Sequence, residues 1–393
     1  MNERCTFFGS QCMAGRFPFF WVRQLGACSK RESQVRKFLP KRTVVVAGAA
    51  SIVVLLAALG VAMYFIFSVD LHHASAPFIQ DGVVYYGDED GRVYAVDLER
   101  RQEIWRFQTQ GKFFSTPSGA QGVLYFGSGE GIVYAVDMDT GEELWRFAAG
   151  ARVWTSPAIK DGVLFFGSFD GRFYAVEAET GAERWRFTAG DRIFSWPSPV
   201  IADDTLYFGS FDNNLYALDL RTGQERWRFS TEGKILEAPA AGAELIYVGS
   251  EDHRFYALDM MTGEKVWSFE AKGRVYTTPV IANGTVFVGS DDGNLYALDA
   301  ETGREKWRFR VGGLPHATVA VSNSTVFLAS HTGFVYAIDA ETGRDKWRFQ
   351  TTKDLASSPA VADGKVYFVG TDGILNVVDS QTGQTEWVFR PVR

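Results

Sequence analysis

Eight tryptophans, Trp105, Trp145, Trp185, Trp227, Trp267, Trp307, Trp347 and Trp387, follow one another at intervals of 40, 40, 42, 40, 40, 40 and 40 residues. A chain that repeats one small unit at such a period must stack its units, because no single unit can bury its own apolar face. Within a unit the signals recur in one order. Residues 286–290 read Val-Phe-Val-Gly-Ser and end at an Asp-Gly turn (292–293); 295–299 read Leu-Tyr-Ala-Leu-Asp and end at Thr302–Gly303; Trp307-Arg-Phe309 follows. Short runs rich in β-branched and aromatic residues, bounded by turn residues, predict antiparallel strands.

With a first run that ends near a proline (Pro77, Pro117, Pro157, Pro197, Pro239, Pro279 and Pro359, but Val319 in the seventh unit), each unit supplies four strands, a to d. The b–c turn has glycine in six units, and Asn213 and His253 in the other two. Asparagine and histidine are among the side chains that best tolerate positive φ, so all eight units predict a left-handed residue there. Thr-Gly closes the c–d turn in seven units, and the first has Arg100–Arg101. Four-stranded sheets with two apolar faces are buried best when packed in a ring. The fold predicted for residues 74–393 is therefore an all-β, eight-bladed β-propeller with four-stranded antiparallel blades. Six residues after Trp387 leave little chain to complete another sheet, so ring closure is expected from side-chain packing between blades one and eight.

Three segments precede the repeats. Residues 1–42 hold nine Lys/Arg against two Asp/Glu and form a basic tail. Thr43–Val69 is 27 residues without a charge, long enough as a tilted helix to cross a hydrocarbon core of about 30 Å. Residues 70–73 are a short linker. The basic flank orients this single transmembrane helix with its N-terminus in the cytoplasm and the propeller in the periplasm or outside the cell. Ala74-Ser75-Ala76 has the form of a signal-peptidase site, but the apolar run is about twice the usual signal core of ~7–15 residues. The segment is read as an uncleaved signal anchor in a bacterial cytoplasmic membrane.

Residues 43–393 carry 31 basic and 45 acidic residues; that balance argues against a nucleic-acid surface. All three cysteines precede the apolar segment, which excludes disulfides, thiol nucleophiles and thiolate metal sites from the propeller. Acidic turns at Asp88–Gly91 and Asp291–Gly293 lack the spaced oxygen ligands of a calcium loop and are read as turn chemistry. None of the five histidines has metal-ligand spacing.

Ala297-Leu-Asp299-Ala-Glu-Thr302-Gly303-Arg-Glu-Lys-Trp307 resembles the tryptophan-docking motif of the quinoprotein-type, PQQ-like propeller family, with near matches ending at Trp145, Trp185, Trp227, Trp267 and Trp347 and weaker ones at Trp105 and Trp387. The resemblance covers residues ~74–390 and implies that all eight tryptophans are structural wedges between blades. It also implies two kinds of function. One is dehydrogenation with pyrroloquinoline quinone, which in that family brings a vicinal disulfide, a bound Ca²⁺ and a catalytic aspartate. The other is a non-catalytic scaffold similar to the propeller lipoprotein of the outer-membrane β-barrel assembly machinery. The plain, minimum-length units and the missing cysteines favour the scaffold: no enzyme, no cofactor, and an envelope protein as partner. The anchor replaces the lipidated cysteine.

Candidate partner-binding residues are large side chains on the face shared by d–a connectors and b–c turns. Phe114, Trp154, Phe194 and Trp196 open strand a in units two to four, and Tyr276 continues the series. Glu237 and His316 interrupt the series in units five and seven and count among the candidates. Phe169 and Phe211 lie in b–c turns. Aromatics on the loops of a rigid scaffold are common binding anchors. This face would look toward the bilayer, since strand a of the first unit starts there. Envelope glycan binding and ligand sensing are the alternatives.

Overall fold

The computed structural model describes residues 51–53, 66–68 and 76–391, except 114, 195–197, 276, 314–317, 352 and 356. It divides into two units, Met1–Leu71 and His72–Arg393. In the first, Ser51–Val53 and Ile66–Ser68 pair as short antiparallel strands. The described parts of the apolar segment are therefore strands where a helix is predicted, and the rest of 43–69 lies outside the described residues. Among the described residues no helix is long and apolar enough to cross a membrane.

The second unit is eight four-stranded antiparallel sheets, each built from four consecutive strands in the order a-b-c-d. In blade 4 these are Val200–Ala202, Thr205–Gly209, Asn214–Asp219 and Glu225–Ser230. The first strands of neighbouring blades lie against one another, which makes strand a the innermost, and the first strand of blade 1 meets that of blade 8. The ring is closed.

The central residues of strands b and c are mostly apolar because both faces of every sheet are covered. In blade 1, Tyr85, Val93 and Ala95 face blade 2, whereas Val84, Tyr86, Tyr94 and Val96 face blade 8. The core is thus eight clusters, one per blade interface. Closure follows the same rule: those four residues of blade 1 pack on Tyr367, Val369, Leu375, Val377 and Trp387 of blade 8. Among the described residues no strand is exchanged across the seam.

Each part of the docking motif has a physical task. The Asp299 carboxylate accepts hydrogen bonds from the Thr302 backbone N–H (3.1 Å) and hydroxyl (2.7 Å), which tightens the turn. A β-bulge before Trp307 bends strand d and turns the indole toward the next blade. All eight blades carry this irregularity. In seven interfaces the indole N–H donates to a backbone carbonyl of the next blade, at 2.8–3.2 Å. The ring lies flat on the next blade's Thr-Gly glycine, where an added Cβ would come within 2.5–2.8 Å of indole carbon. At the eighth interface Arg101 stands in place of glycine with φ 57°, and its guanidinium sits 5.9 Å from the Trp387 ring centroid. Asn213 and His253 take φ of 72° and 71°, as the turn pattern predicts.

Two glycine substitutions separate conformational from steric cost. Gly284 and Gly303 share nearly the same φ (69° and 70°), yet only Gly303 lies under an indole, that of Trp267. Gly284→Ala is expected to lose about 1 kcal/mol through the left-handed backbone alone. Gly303→Ala should lose a further ~1–3 kcal/mol from overpacking, measured as the difference in urea midpoints.

Candidate functional site

In blades 2 to 6 and 8 the b–c turn is strapped to the connector that leads into it. The Phe169 N–H donates to the Arg152 carbonyl (2.9 Å) and the Phe211 N–H to that of Arg192 (3.0 Å). These straps bring connector and turn aromatics from blades 3 and 4, with Leu236 from blade 5, into one patch. Trp154 packs edge-on against Phe169, with centroids 4.8 Å apart. Phe194 lies 6.1 Å from Trp154, 5.8 Å from Phe169 and 6.4 Å from Phe211. Phe169 and Phe211 are 6.1 Å apart.

Burial divides the patch. Phe194 (7% exposed) and Leu236 (9%) form its floor, and half-buried Trp154, Phe169 and Phe211 form its outer layer. Phe194 is thus corrected from surface anchor to support: three aromatic neighbours and Leu236 cover it. Phe114, Trp196, Tyr276 and His316 lie outside the described residues.

Cations border the outer layer. The Arg152 guanidinium sits 5.1 Å from the Trp154 ring, and Arg192 and Lys234 sit 5.3 and 5.1 Å from the Phe211 ring. Such contacts are worth ~0.5–1 kcal/mol at exposed sites. Leu236 and these three cations are absent from the reading of the sequence. Their signal was present, since Arg152, Arg192 and Lys234 each stand two residues before a strand-a opener. The aromatic patch is therefore bordered by three cations, of which Arg192 also pairs with Asp191 at 3.5 Å.

Glu237 also departs from the expected surface role. Most equivalent connector positions carry Ser or Thr, whose hydroxyl binds the end of strand b. Ser115 is bonded in this way to Gly127, Thr155 to Gly167, Thr277 to Gly289 and Ser357 to Val369. Glu237 occupies this inward site and is 5% exposed. Its Oε2 accepts a 3.4 Å hydrogen bond from the Thr278 hydroxyl. Burial pushes its carboxyl well above the ordinary glutamate range, with the Thr278 hydrogen bond pulling weakly the other way. It is a buried acid whose neutral form is favoured by burial, and it faces inward rather than outward.

Other acidic residues are engaged in turns. Asp292 accepts from the Tyr296 hydroxyl (2.5 Å) and from the backbone N–H groups of Asn294 (3.0 Å) and Lys272 (3.1 Å). Asp88 is held by Tyr94 and the Arg92 N–H. Among the described residues no three His, Cys, Asp or Glu side chains converge as a metal site.

The model of the PQQ_2 family, described as outer membrane protein assembly factor BamB, matches residues 89–234, 212–319 and 310–392. The chain belongs to this family. No individually curated protein matches it significantly. Three solved structures share the fold. BamB from Moraxella catarrhalis is 19% identical with a TM-score of 0.69, covering 78% of this chain and 96% of its own. The computationally designed Ika8 protein is 18% identical with the same TM-score and coverage. Quinohemoprotein alcohol dehydrogenase ADHIIG from Pseudomonas putida HK5 is 16% identical with a TM-score of 0.64, covering 80% of this chain and 71% of its own.

The buried carboxyl sets a pH signature. A folded pKa above the unfolded one means that the folded chain retains a proton the unfolded chain has lost. Glu237 therefore contributes full stability below pH ~4.5, and the contribution falls by up to ~1.4 kcal/mol per pH unit as pH rises toward the folded pKa. Glu237→Gln, which is always neutral, should be similar to wild type at pH 4 and more stable than it at pH 8 in denaturant titrations.

Proposed function

We propose that the protein is a membrane-anchored, non-catalytic β-propeller scaffold that binds a protein partner during envelope protein assembly. The observation that carries this reading is the half-buried patch of Trp154, Phe169 and Phe211, backed by Phe194 and bordered by Arg152, Arg192 and Lys234. Rigid aromatics over a packed floor, ringed by cations, have the composition of an interface centre. Membership of a family described as an outer membrane protein assembly factor supports the same reading, as does the engagement of the turn carboxylates in hydrogen bonds.

In this reading the uncharged segment Thr43–Val69 is a single transmembrane span. The basic tail before it lies in the cytoplasm and the propeller on the far side of the inner membrane. Two results are expected in native membranes. The protein resists alkaline carbonate extraction, and protease added to the outer side of the membrane reaches the propeller but not residues 1–42. Release by carbonate would overturn the anchor.

The fold shared with a quinohemoprotein alcohol dehydrogenase keeps quinone chemistry as the second reading. Crosslinking and affinity capture of the full chain from its own membrane separates the two. A specific envelope protein should be captured, and its recovery should fall at least tenfold for Trp154→Ala/Phe169→Ala/Phe211→Ala. Alcohol oxidation after addition of pyrroloquinoline quinone and Ca²⁺ would favour the enzyme instead.

A further inference from the structure

Seven blades carry a tyrosine at one position of strand c: Tyr94, Tyr134, Tyr174, Tyr216, Tyr256, Tyr296 and Tyr336. The eighth carries Asn376. This tyrosine is part of every other blade interface. Its ring meets the strand-d phenylalanine of the preceding blade edge-on at 5.0–5.5 Å in Phe107–Tyr134, Phe147–Tyr174, Phe187–Tyr216, Phe229–Tyr256, Phe269–Tyr296 and Phe309–Tyr336. In blades 3 to 6 its hydroxyl donates to the aspartate four residues earlier, at 2.5–2.7 Å. Burial, then the bond to Asp292, pushes the Tyr296 phenol up to about 12, so at neutral pH it is a fixed donor.

Between blades 7 and 8 both partners of the absent ring remain. Phe349 stands where the other strand-d phenylalanines stand and still meets Phe368 at 5.6 Å. Asp372 holds the turn position four residues before Asn376 and accepts from the Ile374 N–H at 3.1 Å. The Asn376 amide bends back and donates to the Ile374 carbonyl (3.1 Å). What is left is a cavity of about 100 Å³ lined by Phe349, Gly370, Asp372, Ile374 and Asn376, with exposed Lys353 and Arg390 at its rim. An engineered apolar cavity of ~150 Å³ is known to take benzene. This one is of the same order, opens to the surface and offers a carboxylate at the depth where the other blades place a phenol oxygen.

We propose that the interface between blades 7 and 8 is a binding site for a small monocyclic phenol. The ring occupies the place of the missing tyrosine against Phe349, and the hydroxyl donates to Asp372. The repeat itself supplies the argument for this class: the remaining wall and acceptor are those that hold a phenol in blades 3 to 6. The site lies across the ring from the aromatic patch of blades 3 to 5 and does not depend on the role proposed for that patch.

The test titrates 4-methylphenol, with toluene as the comparison, into the full-length chain in detergent. Binding is followed by ligand-observed NMR and thermal unfolding. A ligand of this size is expected to saturate in roughly the millimolar range. It should raise the Tm by about 2 °C at tenfold excess over Kd, and toluene should bind more weakly. Asn376→Tyr restores the ring from within and should lose 4-methylphenol binding at least tenfold while itself unfolding at higher temperature. Asn376→Phe, which fills the space without a hydroxyl, provides the same block if the tyrosine variant fails to fold. Absence of saturable binding to the wild-type chain, or equal binding to wild type and either filled variant, would overturn the proposal.

Discussion

The interlock between an indole and a glycine holds this molecule together. Each blade places a tryptophan on the left-handed turn residue of the next, and the contact is both polar and apolar. The indole N–H takes a carbonyl on the turn, and the ring face covers backbone that no side chain could share. Because the contact needs a donor, a flat ring and a missing Cβ together, it fixes the spacing between blades. That explains why the repeat length varies by only two residues along the whole propeller. The seam shows how much of this is negotiable. Arg101 adopts the glycine-like backbone and offers a guanidinium to Trp387 in place of bare main chain. Closure therefore costs the chain an exposed arginine in a left-handed conformation, and the packing of Tyr86 and Tyr94 on Leu375 and Val377 offsets it.

A ring held in this way leaves its two loop faces free to vary, and the departures from the repeat carry the information about use. Connectors and b–c turns are tied by backbone hydrogen bonds whose geometry does not depend on side chains. Side chains at those positions can therefore change without disturbing the blades. In blades 3 to 5 they become large, aromatic and basic, and they gather into one patch because the straps hold adjacent connectors and turns on one face. The inner register is stricter. Its usual hydroxyl binds the end of strand b, and replacing it with Glu237 puts a carboxyl where only the neutral form is comfortable.

Most of the architecture was legible in the sequence because the docking contact is made of residues with few substitutes. Tryptophan, the Thr-Gly turn and the acidic residue before it each have a physical reason to recur, so their spacing gave blade number, strand order and turn conformation. Even the exceptions, Asn213 and His253, read correctly as left-handed positions. The site was legible to a lesser degree. Connectivity placed the aromatic residues on one face, but depth within that face depends on which ring covers which. Phe194 and Trp154 share a position in the repeat, yet the first is floor and the second is surface. Glu237 read as an interruption of the aromatic series, and its burial follows from a hydroxyl register visible only when strand b is in place.

The loss of a ring at Asn376 shows the same limit from the other side. A reading based on turns and tryptophans passes over strand c, where seven of the eight units look alike. The significance of one tyrosine emerges only when its partners are seen to come from two blades, a phenylalanine behind it and an aspartate beneath it. Deleting such a ring from a closed core would ordinarily invite collapse, since neighbours relax to fill lost volume. Here the tryptophan–glycine contact holds blade 8 at the common spacing, with Trp347 donating to Ser380 at 3.0 Å as at the other interfaces. The blades cannot close on the gap without breaking that contact. The same rigidity that keeps the blades at a common spacing thus preserves the cavity beside Asn376.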